Sequence, residues 1–146
     1  MYNKIQNMIK ESNACRFYGG VSEAEINNAE KVLGVIFPIS YRRFLKDYGV
    51  GTIGYDEILG ITKNNKGWPS VIWNTLEERV NGEMPRELIP VYLYEDEFYF
   101  CIDTSMCING ECPIVAIDIG DSAGERKKTY DSFDELLLKI LNNNIV

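Results

Sequence analysis

Apolar positions recur at helical spacing near both ends of the chain and in strand-like runs through its middle. Ile5, Met8 and Ile9 space a short amphipathic helix over the opening residues. Phe17-Tyr18-Gly19-Gly20 then breaks the chain. Ser22, with Glu25 three residues on, forms a capping box at the next helix start, where hydroxyl and carboxylate satisfy two orphan amide donors. Val21 and Ile26 are placed to staple that start. Ile26, Ala29, Val32 and Leu33 make its stripe, and Gly34 ends it. Pro38 suits the first turn of a second helix. There Tyr41, Phe44, Leu45 and Tyr48 recur at i, i+3, i+4 and i+7 before Gly49 stops it.

After Gly51 the period shortens. Ile53, Tyr55, Ile58, Leu59 and Ile61, with glycines at 54 and 60, predict a strand or hairpin. Asn64-Asn65-Lys66-Gly67 is a turn, and Trp68-Pro69 opens a third helix through Trp73, Leu76 and Val80, ending near Asn81-Gly82. Residues 88–94 and 98–102 predict paired strands, joined as a hairpin by the acidic turn Glu95-Asp96-Glu97. Pro113 to Ile117 is a further strand. Ser132 and Glu135 form a second capping box, before a helix with Phe133, Leu136, Leu137, Ile140 and Leu141 on its apolar face. Helices at both ends and strands joined by short turns between them predict an α+β fold, with a central, largely antiparallel sheet flanked by N- and C-terminal helices.

Residues 1–146 show no repeat or linker and are read as a single domain, long enough to bury a core. The 22 acidic residues outweigh 15 basic ones, for a formal net charge of -7. That sign repels phosphate backbones and steers basic partners inward, so nucleic acid is not an expected partner. No apolar stretch has the length of a signal peptide or a membrane span, which predicts a cytoplasmic protein that binds no membrane. Cys15, Cys101, Cys107 and Cys112 are then expected to be reduced thiols.

Candidate chemistry is sparse. The chain has no histidine, which removes the commonest general base and every Ser-His or Cys-His arrangement. The cysteine spacings lack the C-x-x-C knuckle of a zinc site, and Cys101 lies in an apolar run where a thiol acts as a small hydrophobe. Gly49 to Gly54 fits G-x-G-x-x-G numerically but follows a helix, whereas a dinucleotide loop follows a strand. Asp118 and Asp121 flank Gly120 after a strand, and a polar turn is favoured over a metal-assisted hydrolase. No cofactor, metal or catalytic residue is expected. Trp68 and Trp73 serve equally as core residues or as anchors for a protein partner. Glu95-Asp96-Glu97 is either a solvated loop or a charged patch set to meet a cationic surface.

With these elements placed, the sequence resembles the SUKH superfamily, which shares homology with yeast cell-wall assembly regulators. The resemblance is carried by Gly20-Val21-Ser22-Glu23-Ala24-Glu25-Ile26, Glu30, Leu33-Gly34, Phe37-Pro38, Tyr41, Phe44-Leu45, Tyr48-Gly49 and Gly51. Ile89-Pro90-Val91, the run Phe98 to Asp103 that resembles the family's strand ending in aspartate, Pro113-Ile114-Val115 and Ser132-Phe133 extend it over about residues 17 to 141. Residues 64 to 86 carry no family pattern, and specificity is expected there. The resemblance implies an immunity protein of a polymorphic toxin system, which neutralises a secreted toxin, commonly a nuclease, by binding its C-terminal toxic domain. Glu95, Asp96, Glu97, Asp118 and Asp121 are the acidic contacts expected of such a protein, and Trp68 and Trp73 its anchors. The alternatives are an intracellular regulatory module like the eukaryotic relatives, or a carboxylate-dependent hydrolase.

Overall fold

A computed structural model describes residues 1–121 and 124–144. Its elements are α1 (Tyr2–Glu11), β1 (Cys15–Phe17), α2 (Glu23–Leu33), α3 (Ile39–Asp47), β2 (Gly51–Ile53), β3 (Asp56–Ile58), α4 (Val71–Asn81), β4 (Leu88–Tyr94), β5 (Phe98–Asp103), β6 (Ile114–Asp118), β7 (Lys127–Tyr130) and α5 (Phe133–Asn144). The seven strands lie side by side in chain order, and every neighbouring pair is antiparallel. The fold is thus α+β, with a central antiparallel sheet flanked by terminal helices, as the pattern predicts.

The helix boundaries follow from local chemistry. Ser22 Oγ accepts from Glu25 N while the Glu25 carboxylate accepts from Ser22 N, so the capping box is complete. Gly34 takes the left-handed conformation that closes α2. At α5 the predicted box is only half made. Ser132 Oγ accepts from Glu135 N at 3.3 Å, but the Glu135 carboxylate turns to Asp131 N instead. The glycines of the family signature are structural. A Cβ at Gly20 would lie 1.7 Å from the Lys46 carbonyl oxygen, and Gly49 ends α3 at φ 78°.

Strand alternation divides the apolar residues between two clusters. In β5, Phe100 and Ile102 face the main core, while Tyr99 and Cys101 face a smaller one with Met84, Leu88, Val115 and Ile117. In β4, Ile89 and Tyr92 both face the main core although three residues apart. A register shift between Pro90 and Tyr92 makes this possible, because the extra residue rephases the strand. Pro90 has no amide to donate, so a bulge is a natural place for it. The main core is aromatic at its centre. Phe133 stands edge-on to Tyr41 and Phe44, at centroid distances of 4.9 and 5.2 Å. The Tyr41 hydroxyl, fully buried, donates to Leu59 O at 2.8 Å.

Three differences from the sequence reading stand out. Strands β1 and β7 form the two edges of the sheet and carry no pattern that predicts them. Helix α4 is present, capped by Ser70 rather than opened by Trp68-Pro69, whose peptide is cis. Its Trp73, Leu76 and Val80 face solvent, and Val71, Ile72, Asn74 and Thr75 are the buried side. Finally, Cys107 and Cys112 form a disulfide, contrary to the expectation of four free thiols; Cys15 and Cys101 are free. A small hairpin brings the pair together. Ile108 and Glu111 exchange both backbone hydrogen bonds, and Asn109 and Gly110 between them have positive φ. The flanking cysteines therefore face each other with their Cα atoms 4.0 Å apart.

Candidate functional site

Because the strands run in order, three turns emerge at one end of the sheet. Gly54-Tyr55 joins β2 to β3, Glu95-Asp96-Glu97 joins β4 to β5, and residues after Asp118 join β6 to β7. Phe98 pairs with Tyr94 on one side and with Asp118 on the other, and Ile119 N donates to Glu97 O at 2.9 Å. The acidic residues singled out from sequence are thereby gathered on neighbouring turns, and all are exposed.

The β4–β5 turn is unusual in composition. Glu97 N donates to Tyr94 O at 2.9 Å, and Glu95 and Asp96 have φ of 50° and 55°, the pattern of a type I′ turn. Asn-Gly is the usual occupant of such a turn because each position needs the left-handed conformation. A side-chain-bearing residue there costs about 1–2 kcal/mol. This chain uses Asn-Gly at residues 109 and 110, yet places two carboxylates in the same geometry at 95 and 96.

Beside that turn lies a groove of about 570 Å³. Glu95 and Asp96 form one wall, and Asp56 and Glu57 another. Its apolar surface comes from Tyr55, Trp68, Leu93 and Tyr94. Tyr55 is fully exposed at the tip of the β2–β3 turn. Trp68 donates its indole N–H to Glu57 at 2.6 Å, and Tyr92 donates its hydroxyl to Asp56 at 2.6 Å. The groove thus has two carboxylates held by hydrogen bonds, two more on a turn, and no lysine or arginine in its lining. The field is negative: the Glu95 charge, first among the causes, raises the Tyr94 phenol above its ordinary pKa. Burial, and then Asp56, raise that of Tyr92. Such a surface suits a cation over an aromatic face with carboxylates around it.

The structure brings some predicted site residues together and separates others. Glu95, Asp96 and Trp68 share the groove. Glu97, Asp118 and Asp121 lie beside it, on the same turn and the next one, without lining it. Trp73 does not line it either. The two tryptophans are equally exposed, at 38% and 37%, so exposure alone does not distinguish them; position does. Tyr55, Asp56, Glu57 and Tyr94 are missed as site residues by the sequence reading. Tyr55 offers the one signal that could have found it, a large aromatic residue next to glycine within the predicted strand or hairpin. Among the described residues, no group of three or more acidic or cysteine side chains is placed to hold a metal ion.

Two polar positions of the family signature, Glu30 and Asp103, serve the fold. Glu30 accepts from Phe37 N at 2.7 Å and pairs with Arg42. Asp103, buried at the end of β5, accepts from Ser105 N and pairs with Arg126 at 3.3 Å. Arg126 also reaches Glu87 at 2.8 Å. No described helix is long and apolar enough to cross a membrane. A family model, SUKH_5, described as SMI1-KNR4 cell-wall, matches residues 1–142.

Proposed function

The chain belongs to the SUKH_5 family, and from that premise we propose that it is an immunity protein that neutralises a cognate toxin by direct binding. The observation that carries this reading is the groove at the turn end of the sheet, where Tyr55, Trp68 and Tyr94 lie among Asp56, Glu57, Glu95 and Asp96. A toxin that acts on nucleic acid must hold phosphates, and so presents lysine and arginine. A rigid acidic surface with aromatic anchors competes for those side chains, speeds encounter through its charge, and gains affinity where the aromatics are desolvated. Occlusion of this kind needs no catalytic group, and the protein acts in the cytoplasm as a stoichiometric binder rather than as an enzyme. The left-handed Glu95 and Asp96 support the reading, since a strained acidic turn costs stability that a purely structural hairpin would not forgo.

The family's description favours one other role, a regulatory protein-binding module. Co-expression with the C-terminal toxic domain encoded beside this gene separates the two. Cell survival with co-purification of both proteins supports immunity. Death of the cells, with both proteins folded and no complex formed, rejects that pairing and leaves the regulatory role.

A further inference from the structure

Trp68 stands between two concavities of opposite charge. One is the acidic groove. The other, of about 740 Å³, lies between residues 18–21 and the loop that leads to α4, and Trp68 lines both. Lys63 and Lys66 border this second concavity. Asn64 accepts from Lys66 N at 3.2 Å, and Asn65 has a positive φ, so the loop folds back and leaves both lysines exposed at its rim. Among the described residues neither ammonium group has an ion-pair partner. Glu25 also lines the space, its carboxylate turned to the amide and hydroxyl of Ser22, so the balance of charge here is positive but smaller than two lysines alone would give. The tryptophan thus separates four carboxylates on one side from two exposed lysines, set against the single carboxylate of Glu25, on the other.

We infer that the two concavities form one docking surface centred on Trp68, and that its occupant is a protein segment with a basic block on one side of the anchor and an acidic block on the other. This rests on the reading that the acidic groove binds a protein. A uniformly basic segment satisfies the groove but meets Lys63 and Lys66 with repulsion, and a uniformly acidic one meets the reverse. Only a two-signed segment is complementary along its whole length, and opposite charges at the two ends also fix its direction across the anchor. The loop of residues 62–70 supplies both the lysines and the tryptophan, so it sets this specificity.

The test uses the full chain carrying Trp73→Phe, which leaves Trp68 as the single tryptophan and fluorescence reporter. Three synthetic probes are titrated: an oligolysine block joined through a stiff proline-rich spacer to an oligoglutamate block, oligolysine alone, and oligoglutamate alone. The two-block probe is expected to bind at least about tenfold tighter than oligolysine, or about 1.4 kcal/mol. Lys63→Glu with Lys66→Glu should erase that advantage while oligolysine still binds. Equal binding of the first two probes, or an advantage that survives the double substitution, overturns the two-signed surface. Failure of oligolysine to bind at all, or binding unchanged by Glu95→Lys with Asp96→Lys, instead removes the acidic-groove reading beneath it. All four positions are exposed, and circular dichroism confirms that each variant is folded.

Discussion

The indole N–H of Trp68 lies 2.6 Å from a carboxylate oxygen of Glu57, and this bond ties the loop before α4 to strand β3. It holds the ring at the junction of the two concavities, with more than a third of its surface open. An anchor prefixed in this way loses little rotamer freedom on binding.

Trp68→Ala is therefore expected to weaken the complex with the cognate partner by about 2 kcal/mol or more. Trp73→Ala, on the outer side of α4, should change it by less than about 0.5 kcal/mol. Titration calorimetry with purified partner checks both. Comparable losses at the two positions would move the contact from the groove to the helix.

Stability and binding are expected to oppose each other at the β4–β5 turn. Replacing Glu95 by Asn and Asp96 by Gly supplies residues that accept positive φ, and should stabilise the fold by about 1–2 kcal/mol. The same change removes two carboxylates from the groove and should weaken partner binding. Urea denaturation and a binding titration on one variant read both effects. A variant that is more stable and binds equally well would show that the acidic turn is only a loop.

The pH dependence of stability has two components of opposite sign. Arg126, by hydrogen bonding, holds the Glu87 carboxyl below its ordinary value of 4.5, so the stability it contributes is complete above that pH and lost as pH falls through the lowered folded value. Glu87 is partly exposed, so its effect is modest and salt-sensitive. Burial raises the Asp134 carboxyl, against the pull of Arg43, so ionisation of Asp134 opposes folding and that cost is relieved as pH falls through its raised value. Glu87→Gln should flatten the acid loss of stability, and Asp134→Asn should flatten the gain. Denaturation across the acid range distinguishes the two slopes.

Reduction of Cys107–Cys112 should cost about 2 kcal/mol by loop-closure entropy, because the closed loop is short. The hairpin itself should survive, since Asn109-Gly110 already favours the turn and Gly110 O accepts from Ile39 N at 2.9 Å. Denaturation with and without reductant measures the difference, and Cys107→Ser should reproduce the reduced value. A loss several times larger would mean that the bond, rather than the turn, holds this segment against α3.

What can be read from the sequence here is what depends on near neighbours. The Ser22–Glu25 box, Gly34, the α3 stripe and the β4–β5 hairpin are all set by chemistry within a few residues, and each lies where the pattern places it. Helix α4 shows the limit. Its sequence has an apolar stripe at Trp73, Leu76 and Val80, but its buried side includes Asn74 and Thr75, with Asn74 accepting from the Tyr99 hydroxyl at 3.3 Å. The face is chosen by the sheet, not by local hydrophobicity. Strands β1 and β7 are too short for a period to show and owe their register to β2 and β6. The Asn-Gly signal that pairs Cys107 with Cys112 is present in the sequence, but thiol spacing alone hides it. Glu95, Asp96 and Trp68 are visible one by one. Their meeting depends on the strand order, which also brings up Tyr55, Asp56 and Glu57.

The strand order and the helix packing make different demands on a chain that is still being synthesised. Each strand of the sheet needs only its immediate predecessor, so pairing can advance as residues emerge. The cover over the main core cannot, because α1 packs on α5, which follows every strand in chain order, and Phe133 of α5 completes the aromatic centre formed by Tyr41 and Phe44. Until the final helix is free to dock, the apolar side of a nearly finished sheet stays open to solvent and to other chains. Emergence of α5, rather than the appearance of any strand, is then the event that seals the main core.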